Sequence, residues 1–210
     1  MARPDETNDS SADDAPDYES TLWQVVRLPP GDRSLAGTMQ EGRDLMLAEL
    51  AGVDLTEADF YWALFHHAIL ESAVMARCDL RGAVFQEANL RNADLSGANC
   101  GLDNLGGSTD FIKADLSGVN LRHADLGGAN FTKAVLIGAD LSGARAISTL
   151  PDRPARFQGA DLTDARLRGA QLTGALYDQR TVFPRGFKPE DAGMVVSARK
   201  SSATYKPRWK

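Results

Sequence analysis

Twenty-nine carboxylates, three histidines and two cysteines are the side chains with which this 210-residue chain could do chemistry. Metal binding needs ligands gathered at short spacing, but His66 and His67 are adjacent, His123 is remote, and no Cys or Glu cluster accompanies them. Acid–base catalysis by carboxylate pairs needs burial or a like-charge neighbour to separate their pKa values. Here Asp and Asn fall on a grid of five (Asp54, Asp59, Asp79, Asp94, Asn99), each beside a large apolar residue, and that pattern points them outward. The glycines of LGGSTDF (Leu105–Phe111) sit at a break in the same grid, and no P-loop, nucleophile elbow or dinucleotide fingerprint occurs. The sequence therefore offers no catalytic, cofactor-binding or metal-binding residue, and it is read as a non-enzyme without a cofactor.

The grid must come from the elements that carry it. Successive leucines five apart would smear around a helix and alternate between the faces of a straight strand. Yet each repeat keeps one form: a small residue at i−2, a polar one at i−1 and a large apolar one at i. The residues at i−2 and i share a face, as in a strand, so the chain must turn a corner in the two remaining positions. Ser96-Gly97, Ser117-Gly118 and Ser142-Gly143 suit such turns. The product is a solenoid with every central residue inward. Central residues run from Leu45 to Leu105, resume after Ser108 from Phe111 to Leu141, and resume again from Phe157 to Tyr177. Cys78 at i−2 and Cys100 at i then act as small buried apolar groups.

The unit A-(D/N)-L-x-x, as in ADLSG VNLRH ADLGG ANF (Ala114–Phe131), resembles the signature of the pentapeptide-repeat family over about residues 43–179. The resemblance implies an all-β fold, a right-handed quadrilateral β-helix with four repeats per coil and about six coils. The stretch Thr181–Val195 is similar to a segment that follows the repeats in many bacterial members. The expected organisation is a disordered acidic tail at 1–20, an N-terminal cap at 21–42, the β-helix at 43–179 with a loop at 144–154, a C-terminal cap at 180–197 and a basic tail at 198–210. Phe183 and Phe187 are expected to close the C-terminal end. No hydrophobic signal region precedes the repeats, so a cytoplasmic location is expected.

Stacking residues twenty apart, or twenty-one across Ser108, predicts an outward ladder of Asp59, Asp79, Asn99, Asn120, Asp140 and Asp161. Two more candidate contact groups are the loop residues Arg145, Leu150, Asp152 and Arg153, and an aromatic patch of Tyr61, Trp62, His66 and His67. The ladder has a local reading, since Asp and Asn bond nearby backbone amides. It also has a functional one. Some family members bind bacterial type II topoisomerases by occupying the DNA saddle, so the resemblance implies DNA gyrase or topoisomerase IV as the partner of a duplex mimic. The other reading is a general protein-interaction scaffold. Neither requires nucleic acid or membrane, and end-to-end association of rods is open.

Overall fold

The computed structural model describes residues 34–197; the acidic tail 1–20, the basic tail 198–210 and the first part of the expected N-terminal cap lie outside the described residues. Each repeat is three extended residues and a β-turn. In the repeat centred on Leu45, the Leu45 carbonyl accepts the Ala48 amide at 3.1 Å and Leu47 stands at φ 58°. That left-handed position costs an L-residue about 1–2 kcal/mol, and glycine takes it in many other repeats, as at Gly97. The polar i−1 residue holds the entry to the turn. Its Oδ1 accepts the amide two residues on, at 3.0 Å from Asp54 to Thr56, 3.2 Å from Asp79 to Arg81 and 2.9 Å from Asp140 to Ser142. The Asp/Asn preference is therefore local backbone chemistry.

Four repeats close a coil, and parallel bridges join residues twenty apart. Between neighbouring coils the Phe65 amide donates to Val84 at 2.7 Å and the Val84 amide donates back to Ala63 at 3.0 Å. Four faces result. The first carries Ser34, Asp54, Val74, Asp94, Asn120, Asp140 and Arg166; the second Met39, Asp59, Asp79, Asn99, Asp125, Arg145 and Gln171. The third carries Asp44, Leu64, Val84, Asp110, Asn130 and Arg156; the fourth Glu49, Ile69, Asn89, Asp115, Val135 and Asp161. This is a four-sided β-helix, and its interior is the central residues with alanines between them.

Three boundaries differ from those read in the sequence. The coil is already in register at Ser34 and Met39, inside the segment expected to be a cap. The repeat was hidden there because Gln40 takes the inward position, 9% exposed, where its amide donates to the Thr38 hydroxyl and its carbonyl oxygen accepts from Arg43. Leu105 is not a central residue: it is 78% exposed, and Asn99 pairs with Asp125, twenty-six residues on. Six residues loop out here, not one. The second loop is shorter than expected, because Arg145 pairs with Asp125 and Gln171 in the ladder and Ala146 is buried as the central residue. It spans 147–154 and again inserts six residues.

Each excursion re-enters through a phenylalanine. Phe111 and Phe157 follow the two loops and belong to a stack of Phe65, Phe85, Phe111, Phe131 and Phe157 with centroids 4.6–5.0 Å apart. Thr109, fully buried, donates its hydroxyl to the Leu80 carbonyl at 2.8 Å and pins the same re-entry. At the C-terminal end, β1 (Leu176–Tyr177) pairs in parallel with β2 (Val195–Val196). Phe183 packs edge-on against Tyr177 at 5.5 Å and Phe187 against Phe183 at 5.3 Å, while the Tyr177 hydroxyl donates to Glu190. Burial pushes the Cys78 thiol up to about 12 and raises that of Cys100 as well, so both are inert apolar fillers. Replacing Phe111 by Ala removes the middle ring of the stack and is expected to cost about 3–5 kcal/mol, read as a lower urea midpoint; an unchanged midpoint would show that the stack does not hold the register.

Candidate binding surface on one corner of the rod

The predicted acidic ladder does not form. Asp59, Asp79 and Asn99 stack on the second face, but the first six-residue insertion carries Asn120 and Asp140 to the first face, and the two insertions together carry Asp161 to the fourth. Basic partners also neutralise much of this charge. Arg81 pairs with Asp79, Arg145 with Asp125, and Asp140 meets both Arg122 at 3.4 Å and Arg166 at 3.7 Å. Burial raises the Asp140 pKa, but bonds from Ser142 and the Arg122 guanidinium outweigh it and hold the carboxyl below its ordinary value.

The expected aromatic patch is divided as well. Tyr61 and Trp62 turn the corner between the second and third faces, and His66 and His67 turn the next corner, where His67 lies 3.6 Å from Glu87. Trp62 is 44% exposed and His67 is exposed, whereas Tyr61 and His66 are half-buried. The Trp62 ring stacks on Tyr61 at 5.5 Å, and Arg81 lies over the Tyr61 ring at 5.3 Å.

Both loops leave the rod at that Tyr61–Trp62 corner. Following the corner along the rod gives Trp62, then Gly82, the loop 101–108, Gly127-Gly128, and the loop 147–154. The first loop is hairpin-like, with Leu102 bridged antiparallel to Ser108 and Gly107 donating its amide to Asp103 at 2.6 Å. It leans back across Gly82 to meet Trp62, whose indole N–H donates to Asp103 Oδ2 at 2.6 Å. A Cβ at Gly82 would stand 2.1 Å from the Trp62 ring, so only glycine lets the indole lie down there. Trp62, Leu64, Gly82, Asp103, Gly107 and Ser108 line a shallow hollow of about 400 Å³.

The second loop leans the other way. Arg153 Nη1 donates to the Gly106 carbonyl at 3.0 Å and so ties the two loops across the coil between them. That coil turns at Gly127-Gly128. A Cβ on Gly127 would stand 2.7 Å from the Ile147 carbonyl, and one on Gly128 2.3 Å from Leu102. The result is a continuous ridge exposing Trp62, Leu105, Ile147 and Leu150 (41% exposed) to solvent. Of the predicted loop residues, Leu150 and Arg153 belong to it and Asp152 pairs with Arg153 at 3.8 Å, whereas Arg145 lies in the ladder. Asp103 was missed, although its signal was present: an Asp at the i−2 position of Leu105, where the repeat needs a small inward residue.

The family Pentapeptide repeats matches the chain in eight copies, over residues 65–99, 109–147 and 155–176. The crystal structure of alr5209, a pentapeptide repeat protein from Nostoc PCC 7120, is 31% identical, with 64% of this chain and 84% of that chain covered and a TM-score of 0.25. The chain belongs to the pentapeptide-repeat family. HetL, a pentapeptide-repeat protein involved in heterocyst differentiation regulation in Nostoc sp. strain PCC 7120, is 29% identical over 77% of this chain and 71% of its own, with a TM-score of 0.49. A trypsin-treated variant of QnrB1, a plasmid-mediated fluoroquinolone resistance protein, is 20% identical over 82% and 88%, with a TM-score of 0.39. Among curated proteins, none matches the sequence.

Neither six-residue insertion is required by the pentapeptide coil itself; the corners of the coils between and before them turn in two residues. What holds the ridge to the coil is Asp103. Burial raises its pKa, but the Trp62 indole and the amides of Gly107, Leu105 and Gly106 outweigh burial and hold the carboxyl below its ordinary value. A lowered folded-state pKa contributes stability above the ordinary carboxylate value and loses it as pH falls through the folded value. Opening of the first loop is therefore expected only below about pH 4, and Asp103→Asn is expected to open it at neutral pH. Hydrogen exchange at Leu105 and Gly107 checks this: protection in the variant equal to that of the parent would refute it.

Proposed function

We propose that this pentapeptide-repeat chain is a non-catalytic protein-binding rod that meets its partner through the two-loop ridge. One observation carries the reading. Two insertions leave the same corner, brace each other through Arg153 and Gly106, and hold Leu105, at 78% exposure, clear of the core. Large apolar side chains on braced loops are typical contact points, because the scaffold has already fixed their positions. The rod itself is taken as a right-handed helix of about six coils acting in the cytoplasm.

The partner proposed is a bacterial type II topoisomerase, DNA gyrase or topoisomerase IV, and a distinct observation favours duplex mimicry. Residues 34–121 carry thirteen carboxylates and five Lys or Arg, a net charge of −8, while residues 122–197 carry eight and ten, a net charge of +2. The acidic half of the rod, not a ladder along its whole length, is where mimicry would act. Its charge is far sparser than that of a duplex, with one charge per ~1.7 Å of axis.

Titrating purified gyrase in a supercoiling assay, with and without a cleavage-stabilising poison, tests both parts. Inhibition or relief of cleavage is expected, and no effect at tens-of-micromolar folded protein removes the topoisomerase. The pair Leu105→Ser and Leu150→Ser is expected to weaken the effect at least tenfold, in line with the loss of a contact hot spot. If Asp59→Asn with Asp79→Asn abolishes it while the ridge pair does not, the acidic half carries the contact and the ridge assignment falls.

A further inference from the structure

The corner on the other side of the second face is shaped by a different chemistry. Here the turn residues of successive coils are Arg122-His123, Ser142-Gly143 and Arg168-Gly169, and the preceding first-face residues are Asn120, Asp140 and Arg166. They enclose a hollow of about 710 Å³ lined by Arg122, His123, Asp140, Arg166 and Arg168, with Gly143 and Gly169 as a floor that bears no side chain. His123 lies over that floor, its Nδ1 2.5 Å from where a Gly143 Cβ would stand.

The arginines are placed but not used up. Asp140, whose side chain is 14% exposed, holds Arg122 and Arg166 by one Nη1 each, at 3.4 and 3.7 Å. A guanidinium has five N–H donors in a rigid fork, so most of each remains free. The two side chains are 53% and 75% exposed, and Arg168 makes no ion pair among the described residues. Three guanidinium groups against one carboxylate leave the hollow with a net charge of +2 in a chain of net charge −6. Coils stack ~4.8 Å apart, so Arg122 and Arg168, on turns two coils apart, leave the backbone about 10 Å apart.

We infer that this hollow is a carboxylate-binding site, and that the partner lying across the second face presents an acidic polypeptide segment to it. The inference rests on the protein-binding reading above and specifies the partner's chemistry at the far edge of the contact. Arginine forks match carboxylate and phosphate oxygens alike, so the surroundings decide between them. A nucleic acid carries charge evenly along its length, and extending it along the rod would drive it onto residues 34–121, where the net charge is −8. A short acidic segment of a protein has no such obligation. It can place two or three carboxylates on the arginines and continue with apolar residues toward the ridge.

Fluorescence anisotropy of labelled decaglutamate, titrated with the full chain at low and physiological salt, tests the site. Binding that weakens with salt is expected, together with at least a tenfold loss of affinity in the Arg166→Gln, Arg168→Gln chain. The Arg185→Gln, Lys188→Gln chain removes the same charge elsewhere and is expected to bind as the parent does. Equal losses in the two variants would mean unspecific attraction and overturn the site. Tighter binding of a labelled DNA duplex than of decaglutamate, or of tripolyphosphate in competition, would overturn the carboxylate assignment. The Leu105→Ser, Leu150→Ser chain is the separate arm: it is expected to keep decaglutamate binding, so loss of the arginine site and failure of the ridge are read independently.

Discussion

The amide of a central residue donates to a carbonyl on the next coil, as Leu45 does to Leu64 at 2.7 Å, and the remaining architecture is arranged to keep that bond in step. A coil cannot stand alone. Ordering five residues costs roughly 5–10 kcal/mol of backbone entropy, while burying one leucine returns only about 1.5–3 kcal/mol. The deficit is met by the ladder between coils and by contacts that repeat with it. A slip of one residue would turn every leucine outward. Turns with a left-handed second residue therefore recur with little variation, even where that residue is Leu47 or Trp62 at positive φ.

This constraint also explains where surface features can be built. Extra residues cannot be absorbed within a coil, so they must leave at a corner and return in register. Both insertions do so at the same corner, and both return through a member of the phenylalanine stack. A flat ring lying parallel to the rings above and below, with interplanar angles of 4–12°, tolerates little displacement along the coil. It acts as a locator for chain arriving from an excursion. The loops in turn need a smooth surface to lie on, and Gly82, Gly127 and Gly128 supply it. Core, corner and ridge are thus solutions to one problem of register.

The same logic separates what the sequence disclosed from what it hid. The solenoid, its inward residues and the C-terminal closure by Phe183 and Phe187 are legible because a five-residue period has no other use. The faces were not legible, because assigning residue 120 to a face requires the exact number inserted near residue 105. Leu105 fits the grid by type alone, and accepting it displaced the residues up to the second loop by one side of the coil; missing Ala146 displaced those after it by a second. Asp103 at an inward position contradicted that frame. A buried carboxylate needs partners, which it has in Trp62 and the loop amides, and the mismatch marked the site. In the second loop, Ala146 at a central position reads as a break, although a small inward residue is tolerated there.

Charge follows the register without being dictated by it. Where the i−1 side chain accepts the turn amide, Asp and Asn do so equally well, so such a turn leaves the choice of charge free. Arg145, Arg156 and Arg166 go further and give up that bond in the later coils. A turn can survive this exchange, since the ladder and the inward residues still hold it, but the exchange does nothing for the turn itself. Its effect is to make the second half of the rod basic, beside a ridge of exposed apolar groups and opposite an acidic first half. A solenoid selected only for stacking has no reason to sort its charges along its axis. A rod that binds one partner in one orientation does, because sorted charge gives the two ends of the contact different chemistry and so fixes its direction.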